Sequence, residues 1–178
     1  MTVRMTGVRA EPRTRRCIMQ ERLGSSGGAK DVTGATARRR VLFLCTHNSA
    51  RSQMAEGWLR HVGGDRSEVH SAGTEAATVR PLAIRAMAEV GVDISGQESK
   101  TVDRYLDQPW DDVITVCDQA NEACPFFPGA AHRLHWSFPD PSQAAGAEEQ
   151  RLVVYRQVRD SLRAHIDELV RSPAAETR

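Results

Sequence analysis

The segment Cys45-Thr46-His47-Asn48-Ser49-Ala50-Arg51-Ser52 sets a cysteine, five residues, an arginine and a serine in a row. A loop of this length can curl so that successive backbone N–H groups converge on a tetrahedral oxyanion. A helix opening at its end adds the positive end of its dipole. Arg51 offers a planar fork of donors to two oxyanion oxygens. The same field favours thiolate over thiol at Cys45, a nucleophile near neutral pH, and Ser52 can donate to that sulfur. Asn48 tolerates the left-handed backbone that a tight anion nest needs. The candidate ligands are the backbone N–H groups of Thr46, His47, Asn48, Ser49, Ala50 and Arg51. The His47 side chain reads as a solvated loop residue. The spacing also arises by chance, and a cysteine behind a buried strand is often inert core.

Cys117 and Cys124 lie seven positions apart, with the polar, small residues 118–123 between them and Pro125 and Pro128-Gly129 after them. Little apolar surface holds such a segment in place, so it can rearrange. Unwinding one helical turn would let the two thiols meet. They are a thiol relay or two unrelated buried cysteines; a zinc site lacks its paired Cys-x2-Cys or Cys/His cluster. Asp140 sits between Pro139 and Pro141, a rigid turn that fixes the direction of its carboxyl. A carboxyl so held can protonate a hydroxide or alkoxide leaving group. Asp-Pro turns are also ordinary surface features.

These residues need elements to position them. Val41-Leu42-Phe43-Leu44 is a continuous apolar run, as in a strand covered on both faces, and it runs into Cys45. Residues 52–62 show helical spacing through Met54, Trp58 and Leu59, stopped by Gly63-Gly64. Val69–Ser71 suggests a second strand. Pro81 opens a helix whose Leu82, Ile84, Met87 and Val90 share a face up to Gly91. Val113–Val116 is another buried-strand run, ending at Cys117. Arg133–Phe138 reads as a fourth strand, and Glu148–Val170 as a long amphipathic helix. Strands alternating with helices predict a parallel α/β sheet, whose ligands bind beyond the carboxyl ends of the strands. Cys45 and Cys117 both fall at such ends.

With 178 residues the chain suits one domain. Apolar residues at 40% and charged residues at 26% mark it as globular, and 5% aromatics disfavour a stacking platform for single-stranded nucleic acid. Residues 1–40 carry 10 Lys/Arg against 3 Asp/Glu; the rest carries 14 against 20. The chain reads as a basic, disordered extension over 1–39, a domain over 40–172 and a tail over 173–178. The extension is either dispensable or a contact for nucleic acid or an anionic surface, and the lack of patterned aromatics favours the former. No run is apolar enough for a membrane span or a secretory signal. Four cysteines without an export signal are expected as reduced thiols in a cytosol.

Val41–Glu56 resembles the active-site loop of the low-molecular-weight phosphatase fold, and more closely that of the thioredoxin-coupled arsenate reductases built on it. The likeness extends through Ser71-Ala72-Gly73-Thr74, Gly91-Val92-Asp93-Ile94-Ser95, Cys117–Cys124 and His135-Trp136-Ser137-Phe138-Pro139-Asp140-Pro141, about residues 40–170. It implies a single three-layer α/β domain with a four-stranded parallel sheet flanked by helices. It implies reduction of arsenate to arsenite, with phosphate or sulfate as mimics, by attack of Cys45 aided by Arg51 and Ser52. Asp140 would protonate the leaving oxygen. Cys117 would attack Cys45, Cys124 would attack Cys117, and thioredoxin would reduce the Cys117–Cys124 disulfide. No metal or organic cofactor is implied, and a cytoplasmic monomer is expected.

Some relatives carry a further cysteine where this chain has Ala50, and an acidic residue where it has Pro139. Neither departure is expected to cost the chemistry. Some bind potassium beside the loop through an Asn, a Glu and an Asp. Asn48 and Glu56 match, but Lys100 stands where the Asp would, which implies an internal cation and little potassium dependence. Three alternatives remain: a phosphotyrosine phosphatase that leaves Cys117 and Cys124 idle, a reductase that uses an external thiol such as mycothiol, and a non-enzymatic oxyanion-binding module.

Overall fold

The computed structural model describes residues 38–123 and 127–171. Residues 1–37 and 172–178, Cys17 and Cys124 lie outside the described residues. Strand β1 (Arg39–Cys45) carries the apolar run expected of it. Val41, Phe43 and Cys45 enter one core, and Leu42 and Leu44 enter another. This alternation is the strand's period of two, with both faces covered. Helices α1 (Arg51–Gly63), α2 (Pro81–Ala88) and α4 (Glu148–Arg171) close the first core. A short 3₁₀ turn (Val102–Tyr105), Trp110 and Phe127 close the second. Arg39 opens β1 because its Nε pairs with Asp112 Oδ2 at 2.6 Å across the sheet.

Strands β2 (Ser67–Gly73), β3 (Trp110–Thr115) and β4 (Ala130–His135) complete a parallel sheet in the order β2-β1-β3-β4. Helix α3 (Asp118–Ala123) follows β3. From β1 the chain returns to β2 on one side, and β3 then pairs on the other. The connections therefore part between β1 and β3, which opens a crevice at their carboxyl ends. Cys45 closes β1 level with Gly73, and Cys117 lies two residues beyond the end of β3.

The fourth strand departs from its expected bounds, Arg133–Phe138. Pairing starts at Trp110 with Ala130 and ends at Thr115 with His135. The last ladder bond runs from Trp136 N–H to Thr115 O at 2.8 Å, because β3 itself goes no further. Phe138 instead turns into the first core, with its ring 5.1 Å from that of His165. β4 is an edge strand with mostly exposed side chains, so no apolar pattern marks its register. No helix among the described residues is long and apolar enough to cross a membrane.

Candidate active site

The loop after β1 gets its shape from where its carbonyls go. Cys45 O accepts from Thr74 N–H, and Thr46 O from Glu75 N–H and the Thr74 hydroxyl. His47 O accepts from the Ser99 hydroxyl, and Asn48 O from the Gln53 amide. Ser49 O accepts from Arg80 N–H, and Ala50 O from Met54 N–H. Six consecutive carbonyls thus point outward into partners. In a planar trans peptide the following N–H points the opposite way. The N–H groups of Thr46 through Arg51 are thereby turned away from those partners, at the start of α1, an arrangement that can receive an anion. Gly73 allows it: a Cβ there would stand 2.4 Å from Glu75 O, 2.6 Å from Thr46 O and 2.7 Å from Asn48 N.

Asn48 makes the turn with φ 45° and a fully buried side chain. Its Oδ1 accepts from Lys100 N–H at 2.7 Å and Gln53 Nε2 at 2.9 Å. Its Nδ2 donates to Ser52 Oγ at 2.9 Å and Ser71 Oγ at 2.8 Å. The Ser71 hydroxyl donates in turn to the buried Glu56 carboxylate. Since Ser52 Oγ already accepts from Asn48, its own proton is free for Cys45 Sγ, 2.9 Å away. Asn48 N–H reaches the same sulfur at 3.1 Å. Glu56 is held by Arg60 as well, and Lys100 Nζ stands 3.6 Å from its Oε2. Two cations beside a buried carboxylate answer its desolvation. Gln53 and Arg60 are working parts given no role by the sequence pattern, and Gly73, quoted only within a motif, is the gap that the loop's close approach needs.

Burial and the hydrogen bonds of the loop act on the Cys45 thiol in opposite directions. Loss of solvent pushes the Cys45 thiol above its ordinary value, and the neighbouring Cys117 adds to this. Hydrogen bonds from Ser52 and the charge of Arg51 oppose the rise without cancelling it. Burial wins because a charged sulfur loses its whole hydration shell.

Arg51 Nη1 donates to Phe138 O at 3.0 Å, and its Nη2 stands 3.4 Å from Asp140 Oδ2. Asp140 caps the short 3₁₀ turn at Pro141–Gln143, accepting from Ser142 N–H at 3.0 Å and the Ser142 hydroxyl at 2.8 Å. Burial raises the Asp140 carboxyl, but Ser142, Arg51 and His47 together outweigh it and hold it below the ordinary aspartate range. The expected acid therefore rests as a carboxylate, paired with the guanidinium meant for the oxyanion. The His47 ring lies at the rim, 3.6 Å from Glu75.

Cys117 is fully buried, 3.5 Å from the Thr46 hydroxyl. Cys45 and Cys117 are both free thiols. The fold brings together Cys45, the loop residues 46–51, Ser52, Arg51, Cys117 and Asp140. Cys124 lies outside the described residues.

The sequence model of the family described as low molecular weight phosphotyrosine protein phosphatase matches residues 40–178. An arsenate reductase of Halalkalibacterium halodurans is 49% identical over 122 residues, 68% of this chain and 88% of that protein. A solved arsenate reductase in the phosphate binding state superposes with a TM-score of 0.66 at 35% identity, covering 74% of this chain and 96% of that one. The Corynebacterium glutamicum thioredoxin-dependent arsenate reductase Cg_ArsC1' superposes at 0.58 with 31% identity, over 76% of this chain and 61% of that one.

Four outcomes are expected. Alkylation of Cys45, followed by peptide mass spectrometry, keeps accelerating as pH rises through 9, the ordinary value of a cysteine thiol. Ser52→Ala moves that profile further to the alkaline side; a plateau near neutral pH would show that burial does not dominate. Gly73→Ala destabilises the fold by about 1–3 kcal/mol, as overpacking does, and weakens phosphate binding about tenfold or more, measured by thermal unfolding and calorimetry. Exchange of sodium for potassium leaves kcat/KM within about twofold, because Lys100 and Arg60 already supply cations to Glu56.

Proposed function

The chain belongs to the low molecular weight phosphotyrosine protein phosphatase family, and we propose that within it the protein reduces arsenate to arsenite through an internal thiol relay recharged by thioredoxin. Arsenate lies on the N–H groups of residues 46–51 and on Arg51. A dianionic ligand can take the proton of the Cys45 thiol, which burial otherwise retains. It also draws Arg51 away from Asp140 and adds negative charge beside that carboxyl. Both changes favour proton uptake by Asp140.

Cys45 sulfur then attacks arsenic, an S–As bond forms and an As–O bond breaks. Asp140 protonates the departing oxygen, which leaves as water. Arsenic is still pentavalent at this stage. Cys117 thiolate next attacks Cys45 sulfur. The S–As bond breaks with its electron pair going to arsenic, arsenite leaves, and a Cys45–Cys117 disulfide remains. Cys124 attacks Cys117 and frees Cys45. The two electrons that reduce arsenic thus come from two thiols, and thioredoxin returns them by reducing the Cys117–Cys124 bond.

One observation carries the choice of reductase over phosphatase. A second free, buried thiol, Cys117, stands at the floor of the oxyanion loop, with the Thr46 hydroxyl at its sulfur. A hydrolase has no use for it there. The relatives named above as arsenate reductases, one of them thioredoxin-dependent, support the same reading.

Fully reduced protein is to be mixed with arsenate in the absence of other thiols, trapped with acid, digested and mapped for disulfides. A Cys117–Cys124 linkage that requires both arsenate and Cys45 is expected, with one arsenite released per chain. Cys117→Ser should release none under these conditions. Unchanged thiols with arsenate bound would overturn the relay and leave a phosphatase. Arsenite released only after a small thiol such as mycothiol is added would point to an external reductant.

A further inference from the structure

Helix α3 carries the relay's moving part. Cys117 immediately precedes it, and Asn121 N–H closes its turn on Cys117 O at 3.1 Å. In the relay read above, this turn opens so that the Cys117 sulfur can be attacked. Two side-chain contacts tie it to the sheet. His135 Nε2 meets Asp118 Oδ1 at 3.0 Å, and the Thr115 hydroxyl lies 3.3 Å from Asn121 Oδ1. The two contacts are joined, because the same Thr115 hydroxyl stands 2.8 Å from His135 Nδ1. No step in the relay described above uses His135, Thr115 or Asn121.

The hydroxyl has one proton and several acceptors. With His135 neutral, its Nε2–H faces the Asp118 carboxylate, so Nδ1 is a lone pair. The opposite tautomer would set a lone pair against that carboxylate. The Thr115 proton then goes to Nδ1, and Asn121 receives nothing from it. With His135 protonated, Nδ1–H donates to Thr115 Oγ1. The hydroxyl proton is released toward Asn121 Oδ1, with Leu134 O at 3.4 Å as its other acceptor. At the same time the contact to Asp118 becomes charge-assisted. One proton on His135 thus tightens α3 at both of its ties. A groove of about 290 Å³ lined by Thr115, Asn121, Arg133 and His135 gives solvent access to the ring, which is 33% exposed.

The geometry points to His135 as a positioning residue for the thiol relay, a clamp on α3 that closes when its ring is protonated and loosens when it is neutral. This rests on the relay reading above. The groups that face the switch are Asp118 from α3, Arg133 from β4, and Arg51, whose charge reaches Asp118 from α1; Ser137 also donates to Asp118, and Cys117 adjoins it in the chain. Arg51 and Arg133 are permanent cations, so neither changes its charge over the range tested below.

The test uses the full reduced chain and two readouts between pH 5.5 and 8. Amide hydrogen exchange across 117–123, corrected for the intrinsic pH dependence of exchange, should show protection falling about fivefold as His135 loses its proton, the ratio expected for one ordinary net hydrogen bond. His135→Gln should abolish that step, and Thr115→Val should reduce it, because the Asp118 tie to the ring remains. Quenched-flow measurement of arsenate-dependent Cys117–Cys124 formation should find His135→Gln about fivefold faster than wild type at pH 5.5 and equal to it at pH 8. Protection of Cys45 from alkylation by phosphate should be the same in both proteins. An exchange step that persists in His135→Gln, or a rate ratio independent of pH, overturns the clamp. Wild-type protein that forms no disulfide at any pH overturns the relay instead, and the exchange data then judge the clamp alone.

Discussion

Asn48 holds a backbone angle that β-branched and bulky residues do not adopt without strain, and it does so with no exposure to solvent. That one turn is the constraint on which the site depends. It reverses the chain so that carbonyls before and after it face outward and the N–H groups face in. Its amide then does separate work, accepting from Lys100 N–H and Gln53 and donating to Ser52 and Ser71. Glycine would permit the angle and lose all four contacts. Aspartate would keep the acceptor and lose the two donors. Conformation and hydrogen bonding therefore demand the same residue type, and strain at this point is held by the structure around it.

The chain of polar contacts from Asn48 runs to two buried groups. In one direction it passes through Ser52 to the Cys45 sulfur; in the other it passes through Ser71 to Glu56, Arg60 and Lys100. Because Glu56 can only accept, each hydroxyl along the way has a defined direction of donation. Burial pushes the Cys45 thiol up, while Ser142, Arg51 and His47 together hold the Asp140 carboxyl down, an imbalance opposite to what the proposed chemistry uses. A dianion entering the nest acts on both sides of this imbalance, since it accepts a proton from one group and removes the cation stabilising the other.

Much of this was legible along the chain. Val41–Leu44 and Val113–Val116 are apolar runs because both faces of β1 and β3 are covered, and that signal survives without knowledge of neighbours. The loop 45–52 was legible because its nucleophile, turn residue, arginine and serine are contiguous. β4 was displaced by three residues, since an exposed edge strand takes its register from its partner and carries little pattern of its own. Gly73 was readable as the end of a strand, but not as the gap that receives Thr46 O and Asn48 N from another strand's loop. His135 stood within a quoted motif without a role, because Thr115 and Asp118 meet it only through the pairing of β3 and β4.

Sequence by itself determined the α/β class, the family likeness, the oxyanion loop and the identity of the thiols, because each depends on residue type and near-neighbour spacing. Only the tertiary structure decided how burial acts on Cys45 and Asp140, the place of Arg60 beside Glu56, and the ties on α3. Those quantities depend on burial and on charges tens of residues away in the chain. Solvent exclusion and through-space contact are created by packing and have no counterpart in a linear pattern.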